Sequence, residues 1–172
     1  MIYVLFGPPA VGKTYIGRLL SKKTGTNFFD ADKQISKNET ILLKSGEYNQ
    51  KNRDSFITKL QKKVYELSQK YKELIIAEAF TIESNRIDFK NYFKSKVLFI
   101  NIEAPRAVAK KRAIKRLKEK PHIINIELFN FFWKVFEKPQ IEHNVINNYQ
   151  KKDSDLIKEF LKIKNDIILK RA

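Results

Sequence analysis

One segment constrains this chain more than any other. Gly7-Pro8-Pro9-Ala10-Val11-Gly12-Lys13-Thr14 lies between a short apolar run and a helical pattern. It fits G-x-x-x-x-G-K-[ST] in full, the pattern of a phosphate-binding loop. Gly7 and Gly12 permit backbone torsions that a Cβ forbids, so consecutive N–H groups can turn toward phosphate oxygens. The helix starting near Lys13 aims its positive dipole end at the same anion. Lys13 is expected to reach the β- and γ-phosphates of a nucleoside triphosphate, and the Thr14 hydroxyl to ligate Mg2+.

The flanking pattern supplies the context such a loop needs. Ile2 to Phe6 form a continuous apolar run ending in Gly, as in a strand buried on both faces. Tyr15, Ile16, Leu19 and Leu20 recur at helical spacing, and Gly25 stops the helix. Further strands are expected at residues 27–29, 74–77 and 97–102, with a weak fifth at 145–146. Residues 33–50 are polar and poorly periodic. Phe56, Leu60, Val64 and Leu67 mark an amphipathic helix reaching about Tyr71. More helices are expected at 84–93, from Pro105 to near Pro121, at 126–137, and from 156 onward. Buried strands alternating with helices predict a parallel α/β sheet with right-handed crossovers. Ligands of such sheets bind at the carboxyl ends of the strands.

Three features fall at that edge: the loop after the first strand, Asp30 and Asp32 after the second, and Glu78 after the third. Phosphoryl transfer needs a group to orient the acceptor hydroxyl and take its proton, and a group to hold the metal. A carboxylate pair beside the loop can divide those roles, although an Asp before Lys33-Gln34-Ile35 is also a good helix cap. Arg53 and Arg86 are candidates to clamp an anionic substrate group bidentately. Arg112 and Arg116, four apart in a basic cluster, share one helix face and can close over phosphates as a lid. Phe129, Phe132, Trp133 and Phe136 keep helical spacing, which favours packing over base stacking.

Composition sets the outer limits. With 172 residues the chain is one domain in size. It has no cysteine, so disulfides, thiolate metal sites and a cysteine nucleophile are excluded. No apolar run approaches a membrane span, and the early loop leaves no room for a cleavable signal, so a cytoplasmic protein is expected. The net charge of +16 invites a nucleic-acid partner, but the bases are scattered through nearly every segment. Nucleic acid is therefore not the expected ligand.

The residues carry a resemblance to the small P-loop kinases of the gluconokinase and shikimate kinase group, relatives of the nucleoside monophosphate kinases. Gly12-Lys13-Thr14-Tyr15-Ile16-Gly17-Arg18-Leu19-Leu20, followed by Phe28-Phe29-Asp30-Ala31-Asp32, is similar to both enzymes, each of which has D-x-D after strand two. Ser45-Gly46-Glu47 and Asn52-Arg53-Asp54-Ser55-Phe56-Ile57 resemble the gluconokinase S-G-x-P-L…D-R-x-P-W-L segment, without its prolines and Trp. Arg86 falls where that family has the Arg of a Y-R-D segment. Arg116-Leu117 with His122 resembles its lid, and Phe132 to Pro139 its Q-F-x-x-L-E-x-P helix.

The resemblance implies a single P-loop kinase domain over residues 1–172, with a five-stranded parallel sheet, three layers and a helical lid at about 112–124. It implies that Asp30 supports the magnesium ion and that Asp32 faces the acceptor hydroxyl. Lys13, Asp32 and Arg116 are then the catalytic set. Gly7 to Tyr15, Arg112 and Arg116 contact ATP, while Asp32, Arg53, Glu78 and Arg86 face the substrate. Thr14 and Asp30 hold Mg2+. The expected protein is a monomer or homodimer that phosphorylates a hydroxyl of a small polar metabolite. Glu78-Ala79-Phe80-Thr81 departs from the pattern, because shikimate kinases are Gly-rich there and gluconokinases carry a small polar residue, Leu and Lys. A carboxylate at Glu78 would repel a sugar acid. A nucleoside, nucleotide or polynucleotide kinase, and a nucleotide-dependent switch without a metabolic substrate, are the competing expectations.

Overall fold

A computed structural model of the chain describes residues 1–119 and 124–171. Five parallel strands form one sheet: β1 (Ile2–Phe6), β2 (Asn27–Asp30), β3 (Leu74–Ala77), β4 (Val97–Glu103) and β5 (His143–Asn147). Their spatial order is β2-β3-β1-β4-β5. Successive side chains of a strand point to opposite faces, and here both faces are covered. Val4, Phe6, Ile76 and Phe99 pack against Phe56, Leu60 and Val64 of α3 (Gln50–Lys70) and Phe89 of α4 (Glu83–Phe93). Tyr3, Leu5, Ile75 and Ile100 pack on the other side, against Ile16 and Leu20 of α1 (Lys13–Thr24) and Leu156 and Phe160 of α7 (Asp153–Arg171). Double coverage explains why these strands read as unbroken apolar runs and not as alternations. The result is the expected three-layer α/β fold.

The carboxyl edge of the sheet carries the remaining helices, α2 (Lys37–Ser45), α5 (Arg106–Glu119) and α6 (Ile126–Val135). Helix α2 falls inside the stretch expected to be irregular. Its start is a reciprocal capping box, in which Ser36 accepts from the Glu39 N–H and Glu39 accepts from the Ser36 N–H. Gly46 closes it in a left-handed conformation. Helix α3 begins six residues before Phe56, at a second capping box between Asn49 and Asn52. Strand β5 is longer than the two residues its pattern suggested, and pairs with β4 from His143 to Asn147. Residues 120–123 of the expected lid, including His122, lie outside the described residues.

Candidate active site

The phosphate loop leaves β1 and enters α1 through torsions that side chains tolerate poorly. Gly12 has φ 107°, and a Cβ there would stand 2.0 Å from Asn148 Nδ2. Gly7 has φ 139°, and a Cβ there would meet the Ile102 carbonyl at 2.6 Å. Gly7 is therefore required by close approach to backbone as well as by conformation, and Gly12 by its conformation, with the Asn148 side chain packed against it. Lys13 folds over the loop and donates to the carbonyls of Gly7 at 2.7 Å and Pro8 at 2.8 Å.

Three distant segments grip the loop from outside. The Val11 carbonyl accepts from Arg112 Nη1 at 3.1 Å and from Asn148 Nδ2 at 2.7 Å. Arg112 also donates to the Asn148 carbonyl at 2.9 Å. Trp133 of α6 donates its indole N–H to the Pro9 carbonyl. Arg112 thus holds the loop backbone and the end of β5, which differs from the expected closure over phosphates. Tyr15 turns away from the loop: its side chain is exposed, and its hydroxyl donates to Asp153 of α7. Any contact of Tyr15 with a nucleotide rests on its backbone.

In front of the loop opens a cavity of about 370 Å³. Register places its acidic members together, because Asp30 pairs with Ala77, the residue before Glu78. Gly12, Lys13, Thr14, Asp30, Asp32 and Arg116 are among the residues that line it. Asp30 caps the 3-10 turn Ala31–Gln34, its Oδ1 accepting weakly from the Asp32 N–H. The cap and the site are therefore the same residue. The Asp32 carboxyl opens onto the cavity, yet the surrounding protein, then Glu78 and Asp30, raise its pKa to about 6, against the pull of Lys13 and Arg116. Burial lowers the Lys13 ammonium to about 8, although Asp32, Glu78 and Asp30 all favour its charged form. Burial also lowers Arg116, with Asp32 and Asp30 opposing. These groups form one electrostatic unit.

Two of the lining charges, Glu78 and Arg53, are paired with each other. Glu78 is 3% exposed and accepts from Arg53 Nη2 at 2.7 Å and, weakly, from the Phe80 N–H. Arg53 Nε donates to Asn85 Oδ1, and its guanidinium lies over the Phe56 ring at 5.3 Å. Phe131 and Phe132 of α6 also line the cavity, as do Ile35, Leu43, Tyr48 and Phe56. Helical spacing had assigned Phe132 to packing along with Phe129 and Trp133. Phe129 is fully buried and Trp133 packs, but Phe132 faces the cavity.

Arg86 is not where a substrate clamp would be. Its side chain is fully buried and donates to the carbonyls of Phe80, Thr81 and Glu137 at 2.7–3.1 Å. It is also paired with Glu83 and sandwiched between the rings of Phe6 and Phe136. Every face of the guanidinium is engaged, so Arg86 fastens the segment after β3 to the segment after α6. Its partners are backbone atoms up to 51 residues away, which sequence spacing cannot reveal.

Mg2+ binding asks for an oxygen site that keeps several waters and borrows oxygens from a substrate's phosphates, with one or two protein ligands. The Thr14 hydroxyl and the Asp30 carboxylate on one cavity wall fit that requirement. Among the described residues no cluster of three or more carboxylate or imidazole ligands forms a separate metal cage.

The shikimate kinase family model matches residues 9–165. The chain belongs to the shikimate kinase family. A shikimate kinase of Macrococcus caseolyticus is 48% identical over 44 residues, which is 26% of each protein, so the match spans about a quarter of that relative's length. Among solved structures, a gluconokinase from Sinorhizobium meliloti superposes with a TM-score of 0.78 at 12% identity, covering 99% of this chain and 97% of that one. A shikimate kinase from Acinetobacter baumannii, in complex with shikimate, gives 0.62 at 19% identity, covering 96% and 93%. At these identities the structural likeness shows the fold. No described helix is long and apolar enough to cross a membrane.

Proposed function

We propose that the protein is an ATP- and Mg2+-dependent kinase that phosphorylates a hydroxyl of a small molecule. The observation that carries this reading is the shared cavity: Lys13 and Thr14 of the phosphate loop open onto the same space as Asp30, Asp32 and Arg116. Magnesium, when bound at Thr14 and Asp30, would draw negative charge from the phosphates. Lys13 holds the β- and γ-phosphates, and Arg116 faces the charge that develops on the transferring group. Asp32 orients the acceptor hydroxyl and takes its proton. The acceptor oxygen bonds to the γ-phosphorus, the bond from that phosphorus to the β,γ-bridging oxygen breaks, and ADP leaves with the electron pair.

The family and the fold support a small-molecule kinase. The solved neighbours include a gluconokinase and a shikimate kinase in complex with shikimate. Transfer of γ-³²P from ATP to a small alcohol, with matching ADP release, tests the reading. Lys13→Ala is expected to abolish transfer while the thermal midpoint stays close to that of the wild type. Transfer by Lys13→Ala at the wild-type rate, or ATP hydrolysis that no acceptor stimulates, refutes it.

A further inference from the structure

Glu78 uses its two carboxylate oxygens differently. Oε1 accepts from Arg53 Nη2 at 2.7 Å and, weakly, from the Phe80 N–H. Oε2 accepts from none of the described residues. The side chain is 3% exposed, so an oxygen without a partner is either sealed in protein or turned to the cavity. It is not sealed, because among the described residues the sealed side-chain atom without a partner is Asn101 Oδ1. Oε2 therefore opens onto the cavity that Glu78 lines.

The carboxylate is anchored in that pose. Its partner Arg53 is itself held, by Asn85 Oδ1 at Nε and by the Phe56 ring under the guanidinium. Holding Arg53 occupies Oε1 alone, and Oε2 is left to a ligand. What meets an ionised carboxylate must donate. Glu78 also stands beside the reacting groups. It follows Ala77, the register partner of Asp30, and its charge acts on both Asp32 and Lys13. A ligand that covers Oε2 without donating to it would leave a charged oxygen dry and unbonded, which is costly. A site built to meet a substrate hydroxyl rejects the analogue that lacks it.

We infer that Glu78 Oε2 reads a second hydrogen-bond donor on the acceptor, a hydroxyl or an ammonium close to the hydroxyl that is phosphorylated. Glu78 is then a specificity residue that selects diols and amino alcohols over simple alcohols. The assignment rests on the kinase reading of the site. It leaves room for an anionic group on the same molecule, since Arg53 keeps N–H donors beyond those given to Glu78 and Asn85.

The experiment offers shikimate, gluconate and glucose to the protein in matched sets. Each is supplied intact, with one hydroxyl at a time replaced by hydrogen, and with one at a time replaced by an amino group. Phosphate transfer gives kcat/KM for every member. In the wild type, one replacement by hydrogen outside the phosphorylated position is expected to cost at least about tenfold. Transfer kept by the amino form at that position assigns the donor to an ammonium as well as a hydroxyl, and transfer lost assigns it to a hydroxyl; both uphold the inference. Glu78→Ala is expected to erase the difference between the intact and deoxy forms. Glu78→Gln keeps an oxygen for Arg53 and Phe80, and is expected to cut the difference severalfold because the bond loses its charge. If the Ala variant fails to fold, the Gln variant decides. A Glu78 that merely supports the structure would lower intact and deoxy forms together and leave their ratio unchanged. That result, or a wild type indifferent to every such deoxygenation, overturns the inference and leaves the kinase reading standing. No transfer to any member overturns both.

Discussion

The indole N–H of Trp133 donates to the carbonyl of Pro9 at 3.1 Å, joining helix α6 to a loop 124 residues earlier in the chain. The same helix presents Phe131 and Phe132 to the cavity. One element therefore braces the phosphate loop and lines the space in front of it. Trp133→Phe keeps most of the packing and removes the hydrogen bond. A neutral hydrogen bond of this kind contributes about 1 kcal/mol, so nucleotide binding is expected to weaken about fivefold. Titration with a fluorescent ATP analogue measures it. An unchanged affinity would show that the bond does not shape the loop.

The displaced ionisations of Asp32 and Lys13 predict a bell-shaped pH profile for kcat/KM. Asp32 accepts a proton only when ionised, so activity rises as pH passes about 6. Lys13 holds phosphate best when charged, so activity falls as pH passes about 8. Arg116 lowers the Asp32 pKa, and its replacement by Met is expected to move the acidic limb to higher pH. Rates from pH 5 to 9.5 decide both points. A flat profile over that range would remove Asp32 from the proton transfer.

Arg86→Met should damage stability far more than chemistry. The substitution strips three backbone carbonyls, two of them buried, of their donor and leaves Glu83 without its cation. Breaking a buried pair in this way costs about 3 kcal/mol or more. Chemical denaturation is expected to show that loss, while transfer by the folded protein at low temperature persists. A large rise in acceptor KM with unchanged stability would instead return Arg86 to the substrate.

Gly12→Ala is expected to abolish nucleotide binding. The new methyl would fall 2.0 Å from Asn148 Nδ2, on a residue already at φ 107°. Asn148 can turn its side chain away only by giving up its hydrogen bond to the Val11 carbonyl, and the positive φ cannot relax without moving the loop. Isothermal titration with ATP tests this, and near-normal affinity would show that the loop is more pliable than its contacts suggest.

Much of this architecture can be read from the sequence, for identifiable reasons. Strands β1, β3 and β4 are covered on both faces and so appear as apolar runs bounded by turns. The loop sits at the end of one such strand and the Asp30–Asp32 pair at the end of the edge strand β2, where topology directs attention. Helix α2 escapes because it buries a single side chain, Leu43, and its evidence lies in the Ser36–Glu39 cap. Strand β5 is faint because only Ile146 is buried along it. Arg86 and Arg53 look alike in the sequence, both single arginines after an element boundary. Their difference lies in partners: backbone carbonyls for one, Glu78 in the cavity for the other. Phe132 shares helical spacing with Phe129, and only the turn of α6 against the cavity separates a packed ring from a lining one.

The Val11 carbonyl has a consequence for how the protein comes into being. The loop leaves the ribosome before the groups that hold it, on Arg112, Trp133 and Asn148, more than 100 residues further along the chain. A nascent chain carries the full phosphate-binding motif long before it can hold the motif's shape. The grip on the loop is thereby tied to synthesis reaching Asn148, and a chain cut short before that residue would have the motif's letters without its grip.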